Sequence, residues 1–163
     1  MREPLTLALG DARATREAGA RLAGALATIA PATLMVTVAG ELGSGKTTLA
    51  RGLLEALGVA GAVRSPSYTL IESYPVGRAQ LHHLDWYRLS GADELDLLGF
   101  RDLCGPGQWV LVEWPERVPA VAASADLALS LAYEGDGRRL SAVARTAMGE
   151  RVLTRWMEDT ALG

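Results

Sequence analysis

The sequence predicts an α/β domain built on a mixed central sheet, with helices on both faces and antiparallel hairpins. Three observations predict it. Short apolar runs that read as buried strands, such as Leu34-Met35-Val36-Thr37-Val38 and Trp109-Val110-Leu111-Val112-Glu113, alternate with stretches of helical spacing. Two further pairs of strand-like runs are joined by Pro75-Val76-Gly77-Arg78 and Glu134-Gly135-Asp136-Gly137, connections too short for a crossover, so each pair must run antiparallel. The third is Gly40-Glu41-Leu42-Gly43-Ser44-Gly45-Lys46-Thr47, which matches G-x-x-x-x-G-K-[ST] and sits between an apolar run and a helical stretch. Strand, glycine loop, helix is the setting of a phosphate-binding P-loop. The fold expected is therefore P-loop NTPase-like.

The elements follow in order. Leu5–Leu9 reads as a first strand, Asp11 as a helix N-cap, and Ala12 to Ile29 as a surface helix with Ala18, Leu22, Ala25 and Ile29 along one face and Pro31 ending it. After the loop, Thr48–Leu57 places Leu49 and Leu53, then Ala50, Leu54 and Leu57, at helical spacing, and Gly58 is a natural stop. Tyr68–Tyr74 and Ala79–Leu84 read as the first hairpin. Ser90-Gly91-Ala92-Asp93 resembles a capping box opening a short helix, Gly91–Leu98, closed by Gly99. Gly105-Pro106-Gly107 is a turn, and Trp114-Pro115 stops the strand that ends in Glu113. Asp126–Tyr133 and Arg138–Arg145 form the terminal hairpin, and Met148–Asp159 a closing helix with Val152, Leu153 and Trp156 inward.

At 163 residues the chain, 1–163, reads as one domain with room for a real core. The net charge of −3 argues against a broad basic face for DNA or RNA, and leaves open an RNA-related role exercised through a partner. The single cysteine, Cys104, cannot close an intramolecular disulfide, which fits a reducing cytosol, and reads as a small packing residue. No apolar run approaches ~18 residues, so no membrane helix is expected, and the N-terminus lacks a signal core. The expected location is cytoplasmic.

The loop's chemistry needs its residue types. Glycines let backbone N–H groups approach phosphate oxygens, and the helix N-terminus adds positive dipole. Lys46 is expected to reach the β- and γ-phosphates of a nucleotide and the Thr47 hydroxyl to bind Mg²⁺. Lys46 is also the only lysine; the other cations are arginines. Its selective retention fits a site that wants a compact ammonium on a flexible stem. A carboxylate just past an apolar strand end is where such a fold holds Mg²⁺ or orients water, and Asp85 and Glu113 both qualify. Charge alone does not say which does which. His82 and His83 face opposite sides of a strand and make a poor chelate. The segment Val63–Leu70, with Pro66 among Ser65, Ser67 and Thr69, lies where P-loop proteins often carry a switch that senses the γ-phosphate; an ordinary Ser/Pro loop fits its position equally.

Taken together, four stretches resemble the TsaE family, the P-loop ATPase component of bacterial tRNA threonylcarbamoyladenosine (t6A) biosynthesis. They are Gly40–Thr48, Arg64-Ser65-Pro66-Ser67-Tyr68-Thr69-Leu70, His83-Leu84-Asp85-Trp86-Tyr87-Arg88-Leu89 and Leu111-Val112-Glu113-Trp114-Pro115, supported by Glu94-Leu95 through Gly99. The resemblance runs from about Thr6 to Pro115, with a looser tail. It implies ATP and Mg²⁺ as ligands, with Gly40, Gly43, Ser44, Gly45, Lys46, Thr47 and Thr48 on the nucleotide, Thr47, Asp85 and Glu113 in the metal and water functions, and Ser65–Thr69 as the switch. It also implies action with a TsaB–TsaD pair that carries the transfer site, ATP hydrolysis resetting that complex between turnovers, and contact with tRNA only through it. Ser67, where the family often has Thr, and Trp86, where a smaller apolar residue is common, depart from the pattern without removing a phosphate or metal ligand.

Two other readings fit the loop. A small-molecule P-loop kinase would need an acceptor subdomain and arginines over the transferred phosphoryl, for which Arg88, Arg101 and Arg117 are available. A nucleotide-gated binding module would keep Lys46 and Thr47 and hydrolyse nothing. A GTPase fits poorly, because guanine-reading Asn-Lys-x-Asp is impossible in a chain without asparagine.

Overall fold

The computed structural model describes residues 3–162 except 30–31, 62, 64–65 and 67. The strands are β1 (Leu5–Leu9), β2 (Leu34–Gly40), β3 (Ile71–Val76), β4 (Ala79–Asp85), β5 (Gln108–Glu113), β6 (Leu127–Glu134) and β7 (Gly137–Ala144). They form one sheet in the order β1-β7-β6-β2-β5-β4-β3. The inner four, β6-β2-β5-β4, are parallel, while β3 pairs antiparallel with β4, and β7 antiparallel with both β6 and β1. Both expected hairpins are present, so the sheet is mixed.

Alternation along the strands sorts the side chains into two layers. Leu34, Val36, Val38, Leu81, Trp109 and Leu111 join a core with α1 (Ala12–Ala27), α2 (Lys46–Ala56) and α5 (Ala147–Ala161). Met35, Leu84, Val110 and Val112 face the other way. They pack with Trp86, Leu89, Leu95, Phe100 and Val118, contributed by α3 (Ala92–Leu97), 3-10 turns at Phe100–Leu103 and Pro115–Arg117, and their connections. Trp86 meets Phe100 edge-on, with centroids 5.7 Å apart, a favoured aromatic geometry. One further turn of helix, α4 (Pro119–Ala122), follows. Among the described residues no helix is long and apolar enough to cross a membrane.

Local chemistry sets the helix ends. Asp11 caps α1 by accepting from the Ala14 N–H at 2.8 Å, as its sequence position predicts. The helix closes at Ala27, two residues before Ile29, with the Thr28 hydroxyl donating to the Ala25 carbonyl at 2.7 Å; Ile29 stays buried, and Pro31 lies outside the described residues. α2 ends in a Schellman motif, with Gly58 N–H on Glu55 and Val59 N–H on Leu54, both at 3.0 Å. Three expectations need correction. β3 starts at Ile71 rather than Tyr68, because Leu70 adopts φ 66° and donates to Pro66 at 2.8 Å, turning the chain just before the strand. The box at Ser90 is displaced: Gly91 caps α3 without a side chain, and Glu94, not Asp93, reaches back to the Ser90 N–H at 3.1 Å. Cys104 is exposed, not packed.

α1 and α2 cross backbone to backbone at two glycines. A Cβ on Gly19 would lie inside van der Waals contact with the Leu49 carbonyl and Leu53 amide, and one on Gly52 with the Arg16 carbonyl. Neither neighbour is a flexible side chain, so the helices would have to separate. Gly19→Ala is therefore expected to cost about 1–3 kcal/mol in urea unfolding. In the same helix, Gly24 is exposed and faces only the tip of the Asp159 side chain, so Gly24→Ala is expected to stabilise by about 0.5–1 kcal/mol. Equal effects at the two positions would refute the close-approach explanation.

Candidate nucleotide-binding site

Parallel strands deliver their C-terminal ends to one sheet edge, and the register fixes what arrives there. Val38 of β2, Glu113 of β5 and Asp85 of β4 lie in one row across adjacent strands. The glycine loop begins two residues beyond Val38. Period-two alternation puts His83, Asp85 and Glu113 on the α2 side of the sheet and His82 on the other, where it bonds Ser73 at 2.7 Å and also meets Gln108. The two histidines are thus separated, as expected, and no metal-holding cluster of three His, Cys, Asp or Glu occurs among the described residues.

The loop turns through left-handed conformations at Gly43, φ 76°, and Gly45, φ 105°, which glycine adopts without a Cβ penalty. Residues about 90 positions away hold its outer rim. The Tyr133 hydroxyl donates to the Leu42 carbonyl at 2.8 Å, and Arg138 donates to the Gly43 carbonyl at 3.2 Å while its guanidinium lies 4.2 Å from the Tyr133 ring centroid. In a trans peptide C=O and N–H point opposite ways, so pinning these carbonyls to the β6–β7 hairpin turns the Gly43 and Ser44 N–H groups away from it. The Ser44 hydroxyl is buried without a hydrogen-bond partner among the described residues, and a Cβ on Gly40 would strike it.

Lys46 opens α2 and is 5 % exposed. Its Nζ donates to the carbonyls of Gly40 at 2.6 Å and Glu41 at 2.9 Å, and lies 4.0 Å from the centroid of the Trp114 ring. Burial pushes its pKa below the ordinary lysine value, against the pull of Glu113, Glu116 and Asp85. Trp114 reaches that position because its backbone bends to φ 60° directly after β5, an uncommon conformation for a bulky residue. Its ring also meets Tyr87 at 4.8 Å.

Glu113 is fixed from two sides. Thr47 Oγ1 donates to its Oε1 at 3.0 Å, and His83 Nε2 lies 2.6 Å from its Oε2. A carboxylate only accepts, so the histidine donates from Nε2; its Nδ1 is buried without a partner among the described residues. Asp85 is 4 % exposed, and its Oδ1 accepts from the Tyr87 N–H at 2.9 Å. Its own N–H donates to the Leu70 carbonyl at 3.2 Å, which ties the end of the Val63–Leu70 segment to the site. Ser65 and Ser67 of that segment lie outside the described residues.

These groups border one cleft of about 420 Å³, lined by Gly43, Gly45, Lys46, Thr47, Thr48, Asp85 and Glu113 together with Tyr68, Tyr87, Arg88 and Trp114. Behind the loop, a smaller hollow of about 220 Å³ borders Asp11, Thr15, Ser44, Gly45, Thr48 and Arg138. The donor set in the cleft is hard oxygen, which suits Mg²⁺. Thr47 Oγ1 and Glu113 Oε1 are adjacent, held 3.0 Å apart by a hydrogen bond. Of the residues expected from sequence, Gly43, Gly45, Lys46, Thr47, Thr48, Asp85 and Glu113 border the cleft, Ser44 borders only the hollow behind the loop and Gly40 borders neither; the structure adds His83, Trp114, Tyr133 and Arg138. For His83 the sequence carried a signal: two residues before Asp85, it shares Asp85's face.

The chain is similar to known proteins. The family model described as "Threonylcarbamoyl adenosine biosynthesis protein TsaE" matches residues 9–141, into the second strand of the terminal hairpin. Three relatives are named tRNA threonylcarbamoyladenosine biosynthesis protein TsaE. The protein from Haemophilus influenzae is 37% identical over 121 residues, 74% of this chain and 77% of its own. The Bacillus subtilis one is 37% identical over 118 residues, 72% of each chain. The Streptomyces coelicolor one is 46% identical over 104 residues, 62% of this chain and 67% of its own. The crystal structure of YdiB from Bacillus subtilis superposes with a TM-score of 0.72 at 26% identity, covering 97% of both chains.

Proposed function

This chain belongs to the TsaE family, and we propose that it is the Mg²⁺-dependent ATPase subunit required for t6A formation in tRNA. One observation carries the ATPase reading: the P-loop Thr47 hydroxyl, the buried Glu113 carboxylate to which it donates and the Lys46 ammonium border one cleft. Lys46 exchanges its loop carbonyls for β- and γ-phosphate oxygens, with loop N–H groups from Gly40 to Thr48 closing around them. Thr47 and Glu113 would hold Mg²⁺, which would supply positive charge against the phosphates. His83 keeps Glu113 facing Thr47. Asp85, buried at the neighbouring strand end and bonded to the segment that precedes β3, would orient the attacking water. The hollow behind the loop offers room for the base and ribose.

Relatives named for t6A biosynthesis support the pathway assignment. The chain works in the cytoplasm with a TsaB–TsaD pair that carries the transfer site, and hydrolysis resets that complex. The acidic balance argues that tRNA is reached through the complex rather than on this surface. Neither DNA nor a membrane is a partner in this reading.

Phosphate release from MgATP tests the enzymatic part. The isolated chain is expected to release phosphate slowly, because a P-loop site without its partner can lack a properly placed switch, and chelation of Mg²⁺ should reduce the rate by about 100-fold or more. Metal-independent release would contradict the Thr47–Glu113 assignment. Transfer of the γ-phosphoryl to a small metabolite in place of water would favour the kinase reading.

A further inference from the structure

The cleft contains an arginine to which the reading above gives no task. We propose that Arg88 is a catalytic residue of phosphoryl transfer, the cation supplied by the chain itself that contacts the γ-phosphoryl oxygens as the bond to ADP breaks. The inference rests on the ATPase reading of the same cleft and adds a residue to it.

The position is built rather than incidental. Arg88 follows Asp85 by three residues, in a connection anchored on both sides. Trp86, 1% exposed, donates its N–H to the Glu113 carbonyl at 3.1 Å, and Leu89, 3% exposed, donates to the Trp86 carbonyl at 3.0 Å. The Tyr87 N–H is held by Asp85. Between these fixed points Arg88 projects outward and lines the cleft together with Lys46, Thr47, Asp85 and Glu113.

The guanidinium is also uncommitted. Among the described residues it makes no ion pair and no hydrogen bond; its contact is a stack 4.7 Å from the centroid of Tyr68, which lines the same cleft. Some other arginines are engaged: Arg16 with Glu55, Arg139 with Glu134, Arg155 with Glu158, and Arg138 with the Gly43 carbonyl. A cation–π contact uses none of the guanidinium's N–H hydrogen bonds and leaves its donors available. A planar fork of donors beside a phosphate site matches phosphoryl oxygens.

The chemistry leaves such a group a task. Water's oxygen forms the new bond to the γ-phosphorus. The bond to the β,γ-bridging oxygen breaks, its electron pair leaves with ADP, and the water's proton passes to the phosphate product or to solvent. Lys46, a point charge tethered at the loop, serves the phosphates already in the bound state. Arg88 approaches from the connection after β4 and meets the charge spread over the equatorial oxygens during transfer, so its effect falls on the transition state rather than on nucleotide binding.

Calorimetry on the full chain with Mg²⁺ tests this without relying on turnover. The ligands are ADP alone and ADP with aluminium fluoride, which mimics the transferring phosphoryl. Wild type is expected to bind the fluoride complex about 100-fold or more tighter than ADP. Arg88→Ala should bind ADP within about threefold of wild type and lose at least about tenfold of that tightening. Arg88→Ala that tightens as wild type does would overturn the proposal. So would a wild type that binds ADP and gains nothing from fluoride, because a group supplied by the chain itself must act in the isolated chain. A wild type that binds neither ligand would instead remove the ATPase reading, and this inference with it.

Discussion

Lys46→Ala is expected to abolish useful MgATP binding. The ammonium is the one lysine in the chain, and the only other cation lining the cleft among the described residues is Arg88, in the connection after β4. Losing a charge-assisted contact to two phosphates removes about 1.5–3 kcal/mol per bond, so affinity should fall by about 100-fold or more. The fold should survive. Removing Lys46 deletes a cation whose charged form burial already disfavours, along with bonds to two loop carbonyls. Lys46→Arg should fail too, since a guanidinium is broader than the ammonium seated between the Gly40 and Glu41 carbonyls and the Trp114 ring. Calorimetry showing near-normal MgATP affinity in the alanine variant would remove Lys46 from the site.

Glu113→Gln separates binding from turnover. The amide keeps the shape and one acceptor, so Thr47 retains its bond. His83 then faces an N–H₂ group in place of an oxygen. Its unpartnered Nδ1 can take the proton, leaving Nε2 to accept, so the variant is expected to fold. It loses the negative charge next to the Thr47 hydroxyl. MgATP should still bind through Lys46 and the loop, while phosphate release falls by about 100-fold or more. Unchanged release would make Glu113 a structural strand end and move the catalytic role to Asp85.

How much of this was written locally in the chain differs from part to part. The loop, Asp85 and Glu113 were legible because each depends on near neighbours in sequence: a glycine spacing, or an apolar run closed by a carboxylate. Parallel pairing then brought them together, which the short hairpin connections already constrained. The clamp from Tyr133 and Arg138 was not legible, since nothing near those residues points to carbonyls of Leu42 and Gly43. Trp114 stood out in sequence only as part of Glu113-Trp114-Pro115; its place over Lys46 follows from a positive φ that no propensity announces. The bond between His83 and Glu113 needs the β4–β5 register, which sets Asp85 opposite Glu113 and leaves His83 diagonal to it. The late start of β3 has the same character: Tyr68 and Thr69 have strand-like side chains, but the Leu70 turn overrides them.

The central claim is that ATP hydrolysis in this cleft drives repeated t6A synthesis by a partner complex. It is tested most directly by reconstitution with a TsaB–TsaD pair, tRNA and the threonylcarbamoyl donor, reading modified tRNA and released phosphate together. Partners that favour the ATP-bound state would draw on the cycle as a differential affinity. Wild type with ATP is expected to carry the system from about one turnover to many, with phosphate released in step. Glu113→Gln is expected to join the complex and leave it near a single turnover. Multiple turnover proceeding equally well without this chain, or with the variant in its place, would contradict the claim.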